Sequence, residues 1–354
     1  MYNNILLIPA LNPDERFIEY VKQLRSAGFC RIVAVDDGSR EDLKYIFDAL
    51  RDEYSCDVIV HPINLGKGKA LKDGFEFIEK KYGGYDDYKG VITADSDGQH
   101  TVADVINLNC KLDEADAPAL FLGSRNFDLD IVPMKSKKGN KITSRVFKLL
   151  YGKRIGDTQT GLRAISREYV LEYAALDGDR FEYEMNMLIY ATRAKHNVIE
   201  IPIETVYIAN NSESHFRPFA DSFKIYKLIL GSFLLFMASS ILSMLVDQGL
   251  ANLMFYLVLH HAFAAKAIAR LGSAVFNFTL NRKVVFKAKG KGGAYAARYA
   301  LLCVCQLIVS SLAVWGLTSL FPDAPWLFTV FSLAVDTVLF AASYKIQQAW
   351  VFGK

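Results

Sequence analysis

Short apolar runs alternate with charged segments of helical period through roughly the first 225 residues. Ile5–Pro9, Arg31–Val35, Asp57–Val60, Gly90–Ala94 and Leu120–Gly123 read as buried strands. Glu15–Ala27, stopped by Gly28, reads as a helix, as does the segment that opens at Asn64-Leu65-Gly66-Lys67-Gly68-Lys69 and runs to about Lys81. Strands that alternate with helices predict an α/β domain with a doubly wound, mostly parallel sheet. Ligands of such sheets bind outside the carboxyl ends of the strands. Pro9, Asp36, Asp37, Asp95, Asp97 and Arg125 all emerge at that edge.

From about Leu228 the pattern changes. Ser232–Leu259 holds one charge, Asp247, in 28 residues; Tyr299–Phe321 holds none; Trp326–Tyr344 holds only Asp336. Each is long enough to cross about 30 Å of hydrocarbon as a helix. Phe263–Leu280 is interrupted by Lys266 and Arg270, and the hairpin logic below makes it a fourth span. The expected organisation is a domain over residues 1–225 and an all-α transmembrane domain over 226–354, with spans near 232–259, 263–280, 299–321 and 326–348. Buried helices of a soluble protein are the rival reading of these runs.

Charge fixes an orientation. Lys224 and Lys227 precede the first span, Arg282, Lys283, Lys287, Lys289, Lys291 and Arg298 lie between the second and third, and Lys345 and Lys354 end the fourth. The opposite loops carry only Lys266. An excess of Lys and Arg marks cytoplasmic loops, so the N-terminal domain and both termini are expected in the cytoplasm of a multi-pass cell-membrane protein. Met1–Ala10 leads straight into a strand, so no cleavable signal is expected. A net charge of +3 is too small to imply nucleic acid. Cys30, Cys56, Cys110, Cys303 and Cys305 match no disulfide ladder or zinc spacing and are expected as free thiols.

The chemistry concentrates at Asp95-Ser96-Asp97-Gly98-Gln99, directly after Gly90–Ala94. Two carboxylates and an amide oxygen leave the strand end at alternate positions, a donor set suited to Mg²⁺ or Mn²⁺. A metal holding a nucleotide diphosphate is the functional reading; an acidic turn bending at Asp97-Gly98 is the bland one. The chain contains no G-x-x-x-x-G-K-[ST], and Asn64–Ala70 lacks the G-x-G-x-x-G register, which disfavours a kinase or a dehydrogenase. Gly66 and Gly68 permit close backbone approach, and Lys67 or Lys69 is placed to face a base or phosphate; an ordinary glycine turn opening a helix fits that loop equally well.

Taken in order, Pro9, Asp36-Asp37-Gly38-Ser39, Asn64–Gly68, Asp95–Gln99, Gly123-Ser124-Arg125 and Asp157-Thr158-Gln159-Thr160-Gly161-Leu162-Arg163 resemble a family 2 glycosyltransferase of the GT-A fold, of the dolichyl- and polyprenyl-phosphate sugar synthase type. The resemblance covers about residues 3–230. It implies that Pro9, Asp36, Asp37, Lys67, Asp95, Ser96 and Arg125 bind the nucleotide sugar, that Asp95, Asp97 and Gln99 hold the metal, and that Asp157–Arg163 line the sugar and acceptor end. Asp97, Arg125 and Glu184 are the catalytic candidates, although Glu182 and Glu184 read first as helix-face carboxylates. One segment departs from the pattern: Tyr207–Pro218 has Ser214-His215 where Ser-Lys is usual and Asn210-Asn211 near an expected Arg.

Met134–Arg154 carries eight basic residues, among them Lys137, Lys138, Lys141, Arg145 and Lys148, with Phe147, Leu149 and Leu150 interleaved. Beside a membrane such a stretch attracts anionic headgroups; in the resembling enzymes it takes a polyprenyl phosphate. A solvated basic helix is the plainer reading. Farther on, Phe278–Phe286 is echoed by Tyr344–Phe352, each closing a pair of spans, so the region looks like two tandem helical hairpins. It resembles the GtrA-like four-span family, associated with movement of lipid-linked sugars or with anchoring of the transferase. Asp247 and Asp336 are functional candidates because intramembrane carboxylates are costly, yet anchoring is the favoured role. The sequence therefore predicts a membrane-bound hexosyltransferase that moves sugar from a UDP- or GDP-hexose to a polyprenyl phosphate. A glycolipid or polysaccharide acceptor, a flippase or scaffold with a vestigial transferase domain, and a homo-oligomer all stay open.

Overall fold

The computed structural model describes every residue except 131, 205–217, 260, 289, 291, 322, 325 and 354. The chain divides into two compact units, Met1–Ile229 and Leu230–Lys354. The departing segment at 207–217 lies outside the described residues.

In the first unit, β1 (Tyr2–Ala10), β2 (Phe29–Asp36), β3 (Asp57–Val60), β4 (Gly90–Thr93), β5 (Ala119–Arg125), β6 (Arg163–Ser166) and β7 (Asn197–Ile203) form one sheet in the order β3-β2-β1-β4-β6-β5-β7. It is a mixed sheet: β6 runs antiparallel to β4 and β5, and the other pairings are parallel. The helices are α1 (Arg16–Ser26), α2 (Lys44–Asp52), α3 (Lys67–Tyr82), α4 (Val102–Asp113), α5 (Met134–Tyr151), α6 (Arg167–Ala174) and α7 (Glu182–Arg193). Ile5, Leu6, Leu7 and Ile8 are fully buried, as expected of a central strand covered on both faces. Phe17 and Val21 of α1, Ile46 and Phe47 of α2 and Leu108 of α4 pack on one side of it. Each such side chain contributes about 1.5–3 kcal/mol of transfer free energy.

The antiparallel β6 matters for the site. The parallel strands deliver their carboxyl ends to one edge, and β6, running backwards, delivers its amino end there. Thr93 pairs with Arg163 across the β4–β6 ladder, and Thr93 Oγ1 donates to the Gly161 carbonyl at 2.8 Å. The Asp157–Leu162 segment therefore arrives beside the loop that follows β4.

The second unit holds α9 (Ala262–Leu280), α10 (Gly292–Ser319), α11 (Leu327–Ile346) and most of α8 (Pro218–Leu253). Three helical stretches among the described residues are long and apolar enough to cross a membrane: Tyr226–Val258, Gly292–Ser319 and Leu327–Val351. The expected fourth span, α9, is a helix but is not among them, because Lys266 and Arg270 break its apolar run. Polarity in the unit is inverted relative to a water-soluble bundle. Leu257, Leu271, Leu307, Trp315 and Leu333 are exposed, whereas Ser239, Asp247, Asn281, Ser343 and Gln347 are buried. Apolar side chains outside and hydrogen-bonded polar ones inside are what a lipid solvent selects.

The two echoed segments adopt the same local form. Each contains a π-helical turn, Asn281–Val285 and Gln347–Val351, with Phe286 N bonded to Asn281 O at 2.8 Å and Phe352 N to Gln347 O at 2.9 Å. Asn281 Nδ2 donates to Gln347 Oε1 at 3.0 Å, and Phe286 stacks on Phe352 at 5.2 Å. The flanking contacts are reciprocal: Phe278 lies 5.8 Å from Phe352, and Tyr344 lies 5.8 Å from Phe286.

Candidate active site

The loop after β4 is built around Asp95. Lys67 Nζ lies 2.6 Å from Asp95 Oδ1 and 3.0 Å from Glu184 Oε1. Two glycines make that reach geometrically available. A Cβ at Gly66 (φ +104°) would stand 2.3 Å from the Asp179 carbonyl oxygen, and one at Gly68 would stand 2.5 Å from Tyr183 Cβ. The close backbone approach expected of these glycines is thus an approach to this chain's own 179–183 segment, which sets the start of α3 against the start of α7.

The other side of Asp95 meets Gly161, whose added Cβ would lie 2.5 Å from Asp95 Oδ2. His100 fixes the backbone: Asp95 N donates to His100 Nδ1 at 3.1 Å, which leaves the ring proton on Nε2, 4.0 Å from Asp95 Oδ2. Burial opposes the Asp95 charge, but Lys67, His100 and Arg125 reverse the balance and lower its pKa to about 2. Burial lowers the pKa of His100. Loss of solvation and the Asp95 carboxylate push Asp97 above the usual carboxylate range. Asp97 Oδ1 accepts from Gln99 N at 3.0 Å, and Ser96 sits half-buried between the two carboxylates.

The neighbouring acidic pair has a different placement. Asp36 and Asp37 are buried and committed to the protein. Asp36 accepts from Ser39 N at 2.8 Å and from Lys44 Nζ at 2.5 Å. Asp37 accepts from Leu65 N at 2.9 Å and Gly66 N at 2.8 Å, and faces His61 Nδ1 at 2.8 Å. In this structure Asp37 braces the glycine loop that carries Lys67. Pro9 is buried at the end of β1, paired in register with Val35.

Arg125 ends β5, with Nε 2.7 Å and Nη2 3.2 Å from the two oxygens of the fully buried Asp157. The 155–158 loop is held from two directions. Gly156 N donates to Glu200 Oε1 at 2.6 Å; from α5, Asn140 Nδ2 donates to Gly156 O and Ser144 Oγ to Ile155 O, both at 2.5 Å. Arg163 is buried, donating to Thr160 O and Glu184 O, and burial lowers its pKa.

On α5 the structure corrects the interleaved face. Phe147 and Leu150 are buried in the domain, and Met134, Ile142 and Leu149 are exposed. Lys138, Lys141, Arg145 and Lys148 are exposed at positions three or four apart, on one face. Lys141 and Lys137 lie 2.6 and 3.8 Å from Asp128 Oδ1.

Among the described residues no group of three His, Cys, Asp or Glu side chains is gathered to hold a metal ion. The donors after β4 are nonetheless oxygens of the hard type that Mg²⁺ and Mn²⁺ take, and in nucleotide sites phosphate oxygens complete such shells.

His61 and His100 escaped the sequence reading as site residues; Asp157 and Gly161 were in it, but the pairing of Asp157 with Arg125 and the approach of Gly161 to Asp95 were not. The signal for His100 is its position directly after Gln99 in a strand-end loop. Nothing in the sequence pairs His61 with Asp37.

The chain belongs to glycosyl transferase family 2 and is a membrane glycosyltransferase. Residues 5–173 match the glycosyl transferase family 2 domain and residues 235–352 the GtrA/DPMS transmembrane domain. An uncharacterized Methanocaldococcus jannaschii protein is 31% identical over 238 residues, 64% of this chain and 90% of its own. The UDP-N-acetylglucosamine–dolichyl-phosphate N-acetylglucosaminyltransferase of Methanococcus voltae is 30% identical over 219 residues, 57% of this chain and 85% of its own. The dolichyl-phosphate beta-glucosyltransferase of Saccharomyces cerevisiae is 27% identical over 226 residues, 56% and 65% respectively.

Proposed function

We propose that the protein transfers a hexose from a nucleoside-diphosphate sugar to a polyprenyl phosphate of the dolichyl or undecaprenyl type. The observation that carries this reading is the arrangement of α5. Its inner face holds the 155–158 loop against Arg125, while its outer face presents a basic stripe with Ile142 and Leu149 beside it. Beside an anionic or phosphate-bearing lipid surface such a stripe attracts the headgroup. Two relatives whose names specify dolichyl-phosphate transfer support the acceptor class, and one of those names supports a UDP-sugar donor.

In this reading Asp95, Asp97 and Gln99 would hold Mg²⁺ or Mn²⁺, which when bound would supply positive charge to the departing diphosphate. Arg125 lies beside the phosphates, and Asp157 fixes the plane of its guanidinium. The acceptor phosphate is largely ionised at neutral pH, so its oxygen attacks the anomeric carbon without a strong general base. Asp97 would be a ligand of that ion, and Glu184 orients the site through Lys67. The catalytic unit, the loop around Arg282–Arg298 and the C-terminus face the cytoplasm, with α9 as a fourth span. Its charges are partly offset: Lys266 Nζ lies 2.6 Å and Arg270 Nε 3.8 Å from the Asp247 carboxylate. The transmembrane unit anchors and positions the transferase.

The test is to incubate membranes containing the protein with labelled UDP-glucose, UDP-N-acetylglucosamine and GDP-mannose, then extract the lipid phase. Mild-acid-labile label in the lipid fraction, lost in EDTA and in Asp95→Asn or Asp97→Asn, is the expected result. Label confined to polysaccharide refutes the acceptor; full activity of both variants in EDTA refutes the metal.

A further inference from the structure

Lys67 occupies an unusual position for a residue of a metal-dependent site. Its ammonium lies against Asp95 Oδ1, and the second oxygen of that carboxylate packs on Gly161. The side chains are poorly solvated, with relative exposures of 18% for Lys67, 30% for Asp95 and 9% for Glu184. A divalent ion approaching Asp95 therefore meets a fixed positive charge within hydrogen-bonding distance of its own ligand, in surroundings where that repulsion is weakly screened. Two carboxylates within hydrogen-bonding distance hold the ammonium between them. Lys67 has two anionic partners, so leaving one does not strand its charge: a small pivot keeps Glu184 while Asp95 Oδ1 is released.

We propose that Lys67 is an internal counter-ion of Asp95 that makes divalent-cation binding conditional on the nucleotide diphosphate. Without nucleotide, Lys67 bridges Asp95 and Glu184, occupies Asp95 Oδ1 and repels the ion. A diphosphate offers the ammonium a third anionic partner, and Lys67 turns toward it and uncovers Asp95. The inference rests on the reading that Asp95, Asp97 and Gln99 form the metal site. Its consequence is that free protein stays metal-poor, and nucleotide and metal enter together.

The experiment is Mn²⁺ titration of the full chain in detergent, with free Mn²⁺ followed by electron paramagnetic resonance and a UDP-only blank subtracted. Wild type should bind Mn²⁺ at least tenfold more tightly with UDP than without it. Lys67→Met should bind Mn²⁺ without UDP at least tenfold more tightly than wild type, with the gain on adding UDP reduced by the same factor. Glu184→Gln, which leaves Lys67 only Asp95 to hold, should move the UDP-free affinity the opposite way. A purely structural lysine predicts weaker Mn²⁺ binding in Lys67→Met, so an unchanged or weakened affinity overturns the proposal, as does tighter binding in Glu184→Gln. Asp95→Asn separates the two levels. If it binds Mn²⁺ like wild type with and without UDP, the metal site itself is misassigned; if it loses binding while Lys67→Met is unaltered, the counter-ion role alone fails.

Discussion

Gly161→Ala asks whether the space beside Asp95 is a requirement of the chemistry. An added Cβ would stand 2.5 Å from Oδ2, 2.7 Å from Oδ1 and 2.8 Å from Cγ of Asp95. Ordinary contact begins near 3.4 Å, so the carboxylate, the loop or both must retreat by about 0.9 Å. The 2.6 Å contact of Lys67 with Oδ1 ties the carboxylate in place and opposes that retreat. Misplacing a reacting constellation by about 1 Å costs on the order of 10²-fold in rate, or about 2.7 kcal/mol of barrier. Stability should change much less, because the Asp95 side chain is part-exposed at the sheet edge. Expected values are a kcat/KM reduced about 100-fold and a melting temperature within a few degrees of wild type, measured by lipid-phase transfer assay and thermal melt in detergent. Gly84→Ala is the matched control: nothing lies within 4 Å of its added Cβ, and it precedes the opposite end of β4. A Gly161→Ala enzyme within threefold of wild type refutes the geometric reasoning, as does a Gly84→Ala enzyme that loses as much activity.

Three further outcomes are expected. The Asp95 pKa is lowered in the fold from 3.8 to about 2, so its contribution to stability is complete above about pH 4 and disappears as pH falls toward 2; thermal melts of Asp95→Asn across that window should show a shallower acid loss than wild type. Replacing Lys138, Arg145 and Lys148 by Gln removes three surface charges worth about 1 kcal/mol each near an anionic lipid surface, so the lipid-acceptor KM should rise up to about 100-fold while the UDP-sugar KM holds; an unchanged acceptor KM leaves only a solvated helix. Asp247→Asn breaks a contact between a buried carboxylate and a half-exposed lysine and should cost about 1–2 kcal/mol, whereas the exposed Asp336, 3.4 Å from Ser310 Oγ, should tolerate Asn with no measurable shift in melting temperature.

Runs such as Ile5–Pro9 and Gly90–Ala94 announced their strands because a strand covered on both faces needs an unbroken apolar segment. The strand order around β6 was not legible. Arg163–Ser166 is short, opens on an arginine and carries no period, and its antiparallel insertion is settled by pairing with Thr93 and Leu122 rather than by its own composition. The same holds within the candidate site. The carboxylates after β4 were visible as a motif, but the sequence does not say that Lys67 crosses to Asp95, or that Asp37 turns inward to hold Leu65 and Gly66. In α5 the mixture of charged and apolar residues was apparent; that Phe147 faces the core and Leu149 faces out is decided by the helix phase, which the basic residues obscure. Among the apolar helices, composition found three segments of crossing length, and the compensation of Lys266 by Asp247 depends on a contact between helices.

The reciprocal docking of the two echoed segments has a bearing on how this membrane unit came to be and how it can fail. Contacts in which Phe278 meets Phe352 while Tyr344 meets Phe286 have the form of an isologous interface folded into one chain. A surface that one hairpin offers the other is then a surface that a single hairpin can offer to a second copy of itself, so an ancestral half-length hairpin had a ready way to pair. In the present chain the linker around residues 287–291 makes that pairing intramolecular. Shortening it until the hairpins no longer reach each other should move the partnership between molecules, with α8–α9 of one chain closing on α10–α11 of another.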